Sequence, residues 1–245
     1  MIIPRELDPL TPLCTSPPKV KICGITTPQH ALAAAHSGAD MIGIVFAPSR
    51  RQVSVAQAKT IRAALDSVGS PPMLVGVFVN ETTVSILDIA SEVRLDIVQL
   101  SGDETSYEVA ACIQHIAVIK ALRFPAKTPS RAALDICKQY TNLGESRHAK
   151  QALPPKLRLL IDTYLPGEYG GTGQLADWTL ASALSAREEI ILAGGLNPQN
   201  VTGAKAAVRP WGVDVSSGVE RDGVKDDTLI EHFVRAAQAP GYNSL

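Results

Sequence analysis

The stretch MLVGVFVNETTVSILDIASEV, Met73–Val93, decides the fold. Its first seven residues form an apolar run with no polar interruption. A strand solvated on one face alternates; a parallel strand covered on both faces reads as this run does. The ETTVSILDIASEV that follows has helical spacing, with Val84, Leu87 and Ala90 predicted on one face. A doubly covered strand followed at once by a one-sided helix is the unit of a parallel α/β fold.

The same couple recurs along the chain. Strand candidates are Val20–Ile25, Met41–Phe46, Met73–Val79, Ile97–Ser101, Val118–Leu122, Leu157–Thr163, Glu189–Ala193 and Gly212–Ser216. Helix candidates are Gln29–Ser37, Ser54–Ser67, Thr82–Ser91, Thr105–His115, Ser130–Tyr140, Ala176–Leu184, Pro198–Val208 and Asp226–Ala237. Strict alternation of eight pairs predicts a closed (β/α)8 barrel in one domain, residues 19–239, a fold that typically needs about 250 residues. An open doubly wound sheet is the alternative. A dinucleotide-binding sheet would carry G-x-G-x-x-G after its first strand, and Cys23–Pro28 reads CGITTP.

Outside the barrel, residues 1–18 hold five prolines and both charge signs, with no apolar leader core, and are expected to form an extended tail. Residues 240–245 form a short C-terminal tail. The polar stretch Tyr140–Lys156 is expected to be a surface insertion before the sixth strand. Of 245 residues, 45% are hydrophobic, enough for a sizeable core. Aromatics are 4% and the net charge is -1, which argues against a nucleic-acid partner. No apolar run approaches the roughly 20 residues of a membrane span. The four cysteines, Cys14, Cys23, Cys112 and Cys137, lack zinc spacing and are expected to be reduced thiols of a cytoplasmic protein.

Active sites of such barrels lie where strands end. Polar residues gather there: Cys23, then Ser49, Arg50 and Arg51, then Gln99 and Ser101, then Asp162 and Thr163, and finally Asp214, Ser216 and Ser217. Gly194 and Gly195 after the seventh strand, with Ser216, Ser217 and Gly218 after the eighth, can expose backbone N–H groups to a phosphate. Side chains of a strand alternate, so Lys21 and Cys23 share a face opposite Val20 and Ile22. The parity points Lys21, Cys23, Asp162 and Asp214 inward. A thiol beside a lysine and an anion site has surroundings that can lower its pKa. Facing a carboxylic acid across the mouth, it would form a base–acid pair.

KICGIT, FAPSRRQVS, VQLSGDE, LLIDT, GGTG, LAGGLNPQNV and VDVSSGVE occur in this order. Together they resemble the phosphoribosylanthranilate isomerases of tryptophan biosynthesis, from about Lys19 to the last helix. The resemblance implies a TIM barrel and a cofactor-free, metal-free Amadori rearrangement of a small phosphosugar. It implies Cys23 as general base, Asp162 as general acid and Arg51 as partner of the anthranilate carboxylate. Gln99 and Asp214 would bind substrate, and Gly170, Gly171, Thr172 and Gly173 would form a flexible loop. Arg50 is expected to be a solvated neighbour of Arg51. Members of this family also occur fused to other tryptophan-pathway enzymes. One departure is Ser101, where the family usually has histidine.

Two other phosphosugar barrels compete. An aminoimidazole-ribotide isomerase uses two aspartates, whereas Cys23 occupies the base position here. A ribulose-phosphate epimerase would need histidines at strand ends, and His30, His36, His115, His148 and His232 fall elsewhere. A non-catalytic barrel would be expected to lack Cys23 or Asp162.

Overall fold

The computed structural model describes residues 17–144, 157–162 and 177–240. Among them, eight parallel strands close into a barrel in sequence order. The strands are β1 Lys19–Cys23, β2 Met41–Val45, β3 Met73–Phe78, β4 Ile97–Leu100, β5 Ala117–Arg123, β6 Leu157–Asp162, β7 Ile190–Leu192 and β8 Gly212–Val215. The helices are α1 Pro28–His36, α2 Val55–Leu65, α3 Thr83–Val93, α4 Ser106–Ile113, α5 Ser130–Gly144, α6 Trp178–Ser185, α7 Val201–Val208 and α8 Asp227–Gln238. No described helix is long and apolar enough to cross a membrane.

Strand parity divides the core into two layers. Met41, Val75, Ile97, Ile119, Leu160 and Ile191 pack together inside the barrel. Val20, Ile22, Ile42, Ile44, Val98 and Val213 turn outward to meet the helices. The strands are apolar on both sides over most of their length, with Lys21, Gln99, Lys120 and Asp214 as the buried polar residues within them.

The helices begin where short polar side chains satisfy their first N–H groups. Ser54 with Gln57, and Thr105 with Glu108, form reciprocal capping boxes at α2 and α4. Thr27 caps α1, with Pro28 at its first helical position.

Several boundaries differ from expectation. Helix α3 buries Ile86, Ala90 and Val93, while Val84 is 71% exposed. The apolar spacing fits either register, and packing against the sheet selects the one with the bulkier Ile86. Helix α5 runs on to Gly144, four residues past its expected end at Tyr140, because nothing between Tyr140 and Gly144 breaks a helix. The rest of the insertion, 145–156, lies outside the described residues, as do 1–16 and 241–245. Helix α7 starts at Val201 rather than Pro198. The Asn197 carboxamide oxygen accepts from the N–H groups of Gln199 and Asn200, and this local turn replaces the first helical turn.

Two elements were unforeseen. Ser217–Val219 form a single 3-10 turn, and Glu220–Arg221 (β9) pairs antiparallel with Val224–Lys225 (β10). Asp222 and Gly223 connect the last two with φ of 51° and 81°, the left-handed pair that a two-residue hairpin turn requires. This small hairpin lies directly after β8 and contributes to the mouth.

Candidate active site

The centre of the mouth is a buried ion pair. Lys21 on β1 and Asp214 on β8 are register partners, and Lys21 Nζ donates to Asp214 Oδ1 at 2.9 Å. The Lys21 side chain has no exposure at all, and that of Asp214 is 10% exposed. Burial alone would pull the ammonium pKa down; Asp214 and Cys23 outweigh that and hold it above its usual range.

Cys23 sits one pleat nearer the mouth on the same face. The room it shares with Lys21 comes from Gly43, its register partner on β2. A Cβ at Gly43 would lie 2.9 Å from Cys23 Sγ and 3.0 Å from Lys21 Nζ. The thiol does not have the lowered pKa expected of its setting. Burial pushes it up, and Lys21 offsets only part of that. Two fixed charges close together, Lys21 and Asp214, largely cancel at Sγ, so desolvation dominates.

Gly24 follows with φ of 77°, a conformation that suits glycine. Its bare Cα lets Arg51 lie across it: a Cβ there would overlap Arg51 Cδ and come within 3.1 Å of Ser216 Oγ. Arg51 is thus brought from the loop after β2 to the junction of β1 and β8. Its Nε and Nη2 donate to the two carboxylate oxygens of Glu220 at 2.6 and 3.0 Å. Arg50 is half-exposed, and it also donates to Glu220, at 2.6 Å, so it is more than the solvated neighbour expected. Lys225 on β10 completes the group, donating to Glu220 Oε1 and to the carbonyl of Ser216, both at 2.8 Å.

The glycine loops after β7 and β8 touch. Gly194 and Gly195 adopt φ of 88° and 62°. Gly218 approaches the backbone of Leu196 and Asn197 so closely that a Cβ would lie within 3.0 Å of Asn197 Cα. Ser217 and Gly218 open the 3-10 turn, so their N–H groups have no partner within it. Asn200 fastens the other loop by donating from Nδ2 to the carbonyl of Gly195 at 2.9 Å.

Opposite lie β4 to β6. Gln99 shares the inward parity of Ile97, is buried, and donates from Nε2 to Ser101 Oγ at 3.0 Å. Its Oε1 has no hydrogen-bond partner among the described residues. Asp162 ends β6 with the inward parity of Leu160 and is partly buried, three strands from β1 around the ring. Gly170, Gly171, Thr172 and Gly173 lie outside the described residues, as does Thr163.

Residues 20–236 match the family described as N-(5'phosphoribosyl)anthranilate (PRA) isomerase. The chain belongs to this family. A relative of the same name from Roseiflexus castenholzii is 47% identical over 90% of this chain and 98% of its own length. The Pseudomonas fluorescens relative is 43% identical over 89% of this chain and 97% of its own. The crystal structure of the phosphoribosyl anthranilate isomerase from Thermotoga maritima superposes with a TM-score of 0.74, at 36% identity, over 90% of this chain and 98% of that one. Another isomerase structure, in complex with reduced 1-(o-carboxyphenylamino)-1-deoxyribulose 5-phosphate, gives a TM-score of 0.70 at 35% identity, with the same two coverages.

Within this isomerase fold, Lys21, Cys23, Arg51, Asp214 and Ser216 meet at one side of the mouth. Glu220 and Lys225 were not singled out from sequence as site residues. Glu220 is 169 positions from Arg51, and only the hairpin brings them together. The Asp222–Gly223 pair, a hairpin signal, was the one available clue.

Proposed function

We propose that the chain converts N-(5-phosphoribosyl)anthranilate to 1-(2-carboxyphenylamino)-1-deoxyribulose 5-phosphate by an Amadori rearrangement, with Cys23 as base and Asp162 as acid. The observation that carries this reading is the position of Cys23. It is a thiol at the end of β1, beside a buried cation, on the rim that also holds the contacting glycine loops and Arg51.

Asp162 protonates the furanose ring oxygen as the ring C1–O bond breaks, and the anthranilate nitrogen lone pair forms the iminium. Cys23 thiolate then removes the proton from C2, and its electron pair neutralises the iminium to give an enolamine. Tautomerisation returns a proton to C1 and leaves a ketone at C2. C1 is reduced as C2 is oxidised, so the atoms and electrons balance within the substrate. The phosphate rests on Gly194, Gly195 and Ser216–Gly218, where free N–H groups favour an anion. Arg51 takes the carboxylate, a planar fork meeting a planar acceptor. Gln99 Oε1 and Asp214 accept from the sugar hydroxyls or amine.

Three thiols, Cys23, Cys112 and Cys137, are unpaired. That fits a reducing compartment, and we place the reaction in the cytoplasm.

The test follows loss of substrate fluorescence. Cys23→Ser is nearly isosteric but leaves almost no ionised base, so kcat falls by about 10²-fold or more. Asp162→Asn removes the acid and disables ring opening to a similar degree. A Cys23→Ser enzyme with the parent rate would make the thiol a packing residue.

A further inference from the structure

Glu220 accepts from three basic side chains at the mouth, and no step of the reaction above uses it. Its side chain is 4% exposed and it binds three cations: Arg51, Arg50 and Lys225. Three cations around one carboxylate leave the cluster positive. Burial opposes ionisation of Glu220, but Arg51 and Lys225 hold its pKa down at about 2, so it remains an anion at any working pH. A cluster that stays positive beside the neutral Lys21–Asp214 pair is suited to receive an anion.

The geometry is directional. Glu220 occupies the Nε/Nη2 edge of Arg51. A guanidinium has five N–H donors in a fixed fork. The edge that includes Nη1 meets no acceptor among the described residues. Lys225, whose side chain is 2% exposed, bonds the same carboxylate and also the Ser216 carbonyl. Ser216 begins the turn whose N–H groups form the phosphate cradle.

We propose that Glu220 and Lys225 are positioning residues. Glu220 fixes one edge of Arg51 so that the other is presented to the substrate's aromatic carboxylate. Lys225 ties this clamp to the phosphate-binding turn. Recognition of the two anionic ends of the substrate is thereby mechanically linked through the β9–β10 hairpin. This inference rests on the assignment of Arg51 to the carboxylate.

The experiment compares the natural substrate with its aniline analogue, N-(5-phosphoribosyl)aniline, which lacks the carboxylate. The quantity read is the ratio of kcat/KM between the two. Glu220→Gln is expected to lower this ratio about tenfold or more, through KM, with little change for the analogue. Arg51→Ala lowers it to a floor, and the Arg51→Ala/Glu220→Gln double variant goes no lower. Lys225→Gln lowers the ratio and also raises KM for both substrates, because it loosens the phosphate turn. Should Glu220→Gln fail to fold, Glu220→Asp keeps the charge, withdraws the clamp by one methylene, and must lower the same ratio. Equal losses for both substrates in the Glu220 variants, with Arg51→Ala still discriminating, would make Glu220 a stabilising residue and overturn the inference alone. An unchanged ratio in Arg51→Ala would instead overturn the assignment of Arg51.

Discussion

Gly218→Ala tests the phosphate cradle by adding one methyl group. The added Cβ would overlap the carbonyl oxygen of Leu196 and lie 2.9 Å from its carbon and 3.0 Å from Asn197 Cα. The oxygen lies only 1.9 Å from the added Cβ, and non-bonded atoms in contact sit about 3.5 Å apart, so the two loops must separate by more than about 1 Å. Every atom met is backbone, and no rotamer change can relieve the overlap. Nor can the β7 loop yield cheaply, because Asn200 holds Gly195 and Asn197 at 2.9 and 2.8 Å. Overpacking of this kind costs about 1–3 kcal/mol, or a fall in Tm of roughly 2–12 °C for a chain of this size. Binding suffers more specifically. N–H groups moved that far lose hydrogen bonds to a phosphate, each worth about 1.5–3 kcal/mol, so KM should rise by about tenfold or more. The assays are thermal unfolding, titration with inorganic phosphate, and steady-state kinetics. Gly69→Ala, where a Cβ would meet nothing within 4 Å, is the control. A Gly218→Ala enzyme that bound phosphate as tightly as the parent would refute the placement of the cradle.

Three other outcomes are expected. Since burial pushes the Cys23 thiol up and Lys21 opposes this, alkylation by iodoacetamide should accelerate as pH rises through and beyond the ordinary thiol range. Lys21→Met should move that rise to still higher pH, as peptide mass spectrometry would show; a downward move would contradict the assigned roles. Lys21→Met should also cost about 3–5 kcal/mol in urea unfolding by stranding Asp214, with partial recovery in Lys21→Met/Asp214→Leu. For Glu220, lowered from 4.5 to about 2, the stabilisation is fully present above pH 4.5 and is lost as pH falls toward 2. It amounts to at most about 3 kcal/mol, so the stability difference between parent and Glu220→Gln should shrink over that range.

The barrel was legible because its signals are local. Runs such as Met73–Val79 mark strands covered on both faces, and Thr27, Ser54, Thr82 and Thr105 mark helix starts within three residues of the bonds they accept. Strand parity placed Lys21 and Asp214 on the inner face from sequence alone, and the 2.9 Å pair follows from it. Other features depend on tertiary contacts. Of the face expected for α3, Ala90 is buried and Val84 is not, because Val84 and Ile86 fit helical spacing equally until the sheet is in place. Two-residue strands have no measurable period, so the β9–β10 hairpin passed unseen, and Glu220 with it. The direction of the Cys23 pKa shift turned on depth of burial, which a motif does not encode.

That shift also bears on how the proposed base works. With the thiol neutral, Lys21 and Asp214 balance each other in a site closed to water on their side. Ionising Cys23 adds an uncompensated negative charge to this buried group, which accounts for the raised pKa. The compensating charge can come from the reaction. Ring opening places an iminium on the atom bonded to C1, adjacent to the C2 whose proton must be removed. A cation formed there favours the thiolate just when a base is required, as Lys21 alone does not. Proton removal then destroys both charges together, and the site returns to the neutral arrangement from which it began. On this account Lys21 does not make Cys23 acidic in the resting enzyme; it keeps the added cost of ionisation within reach of the substrate's own charge.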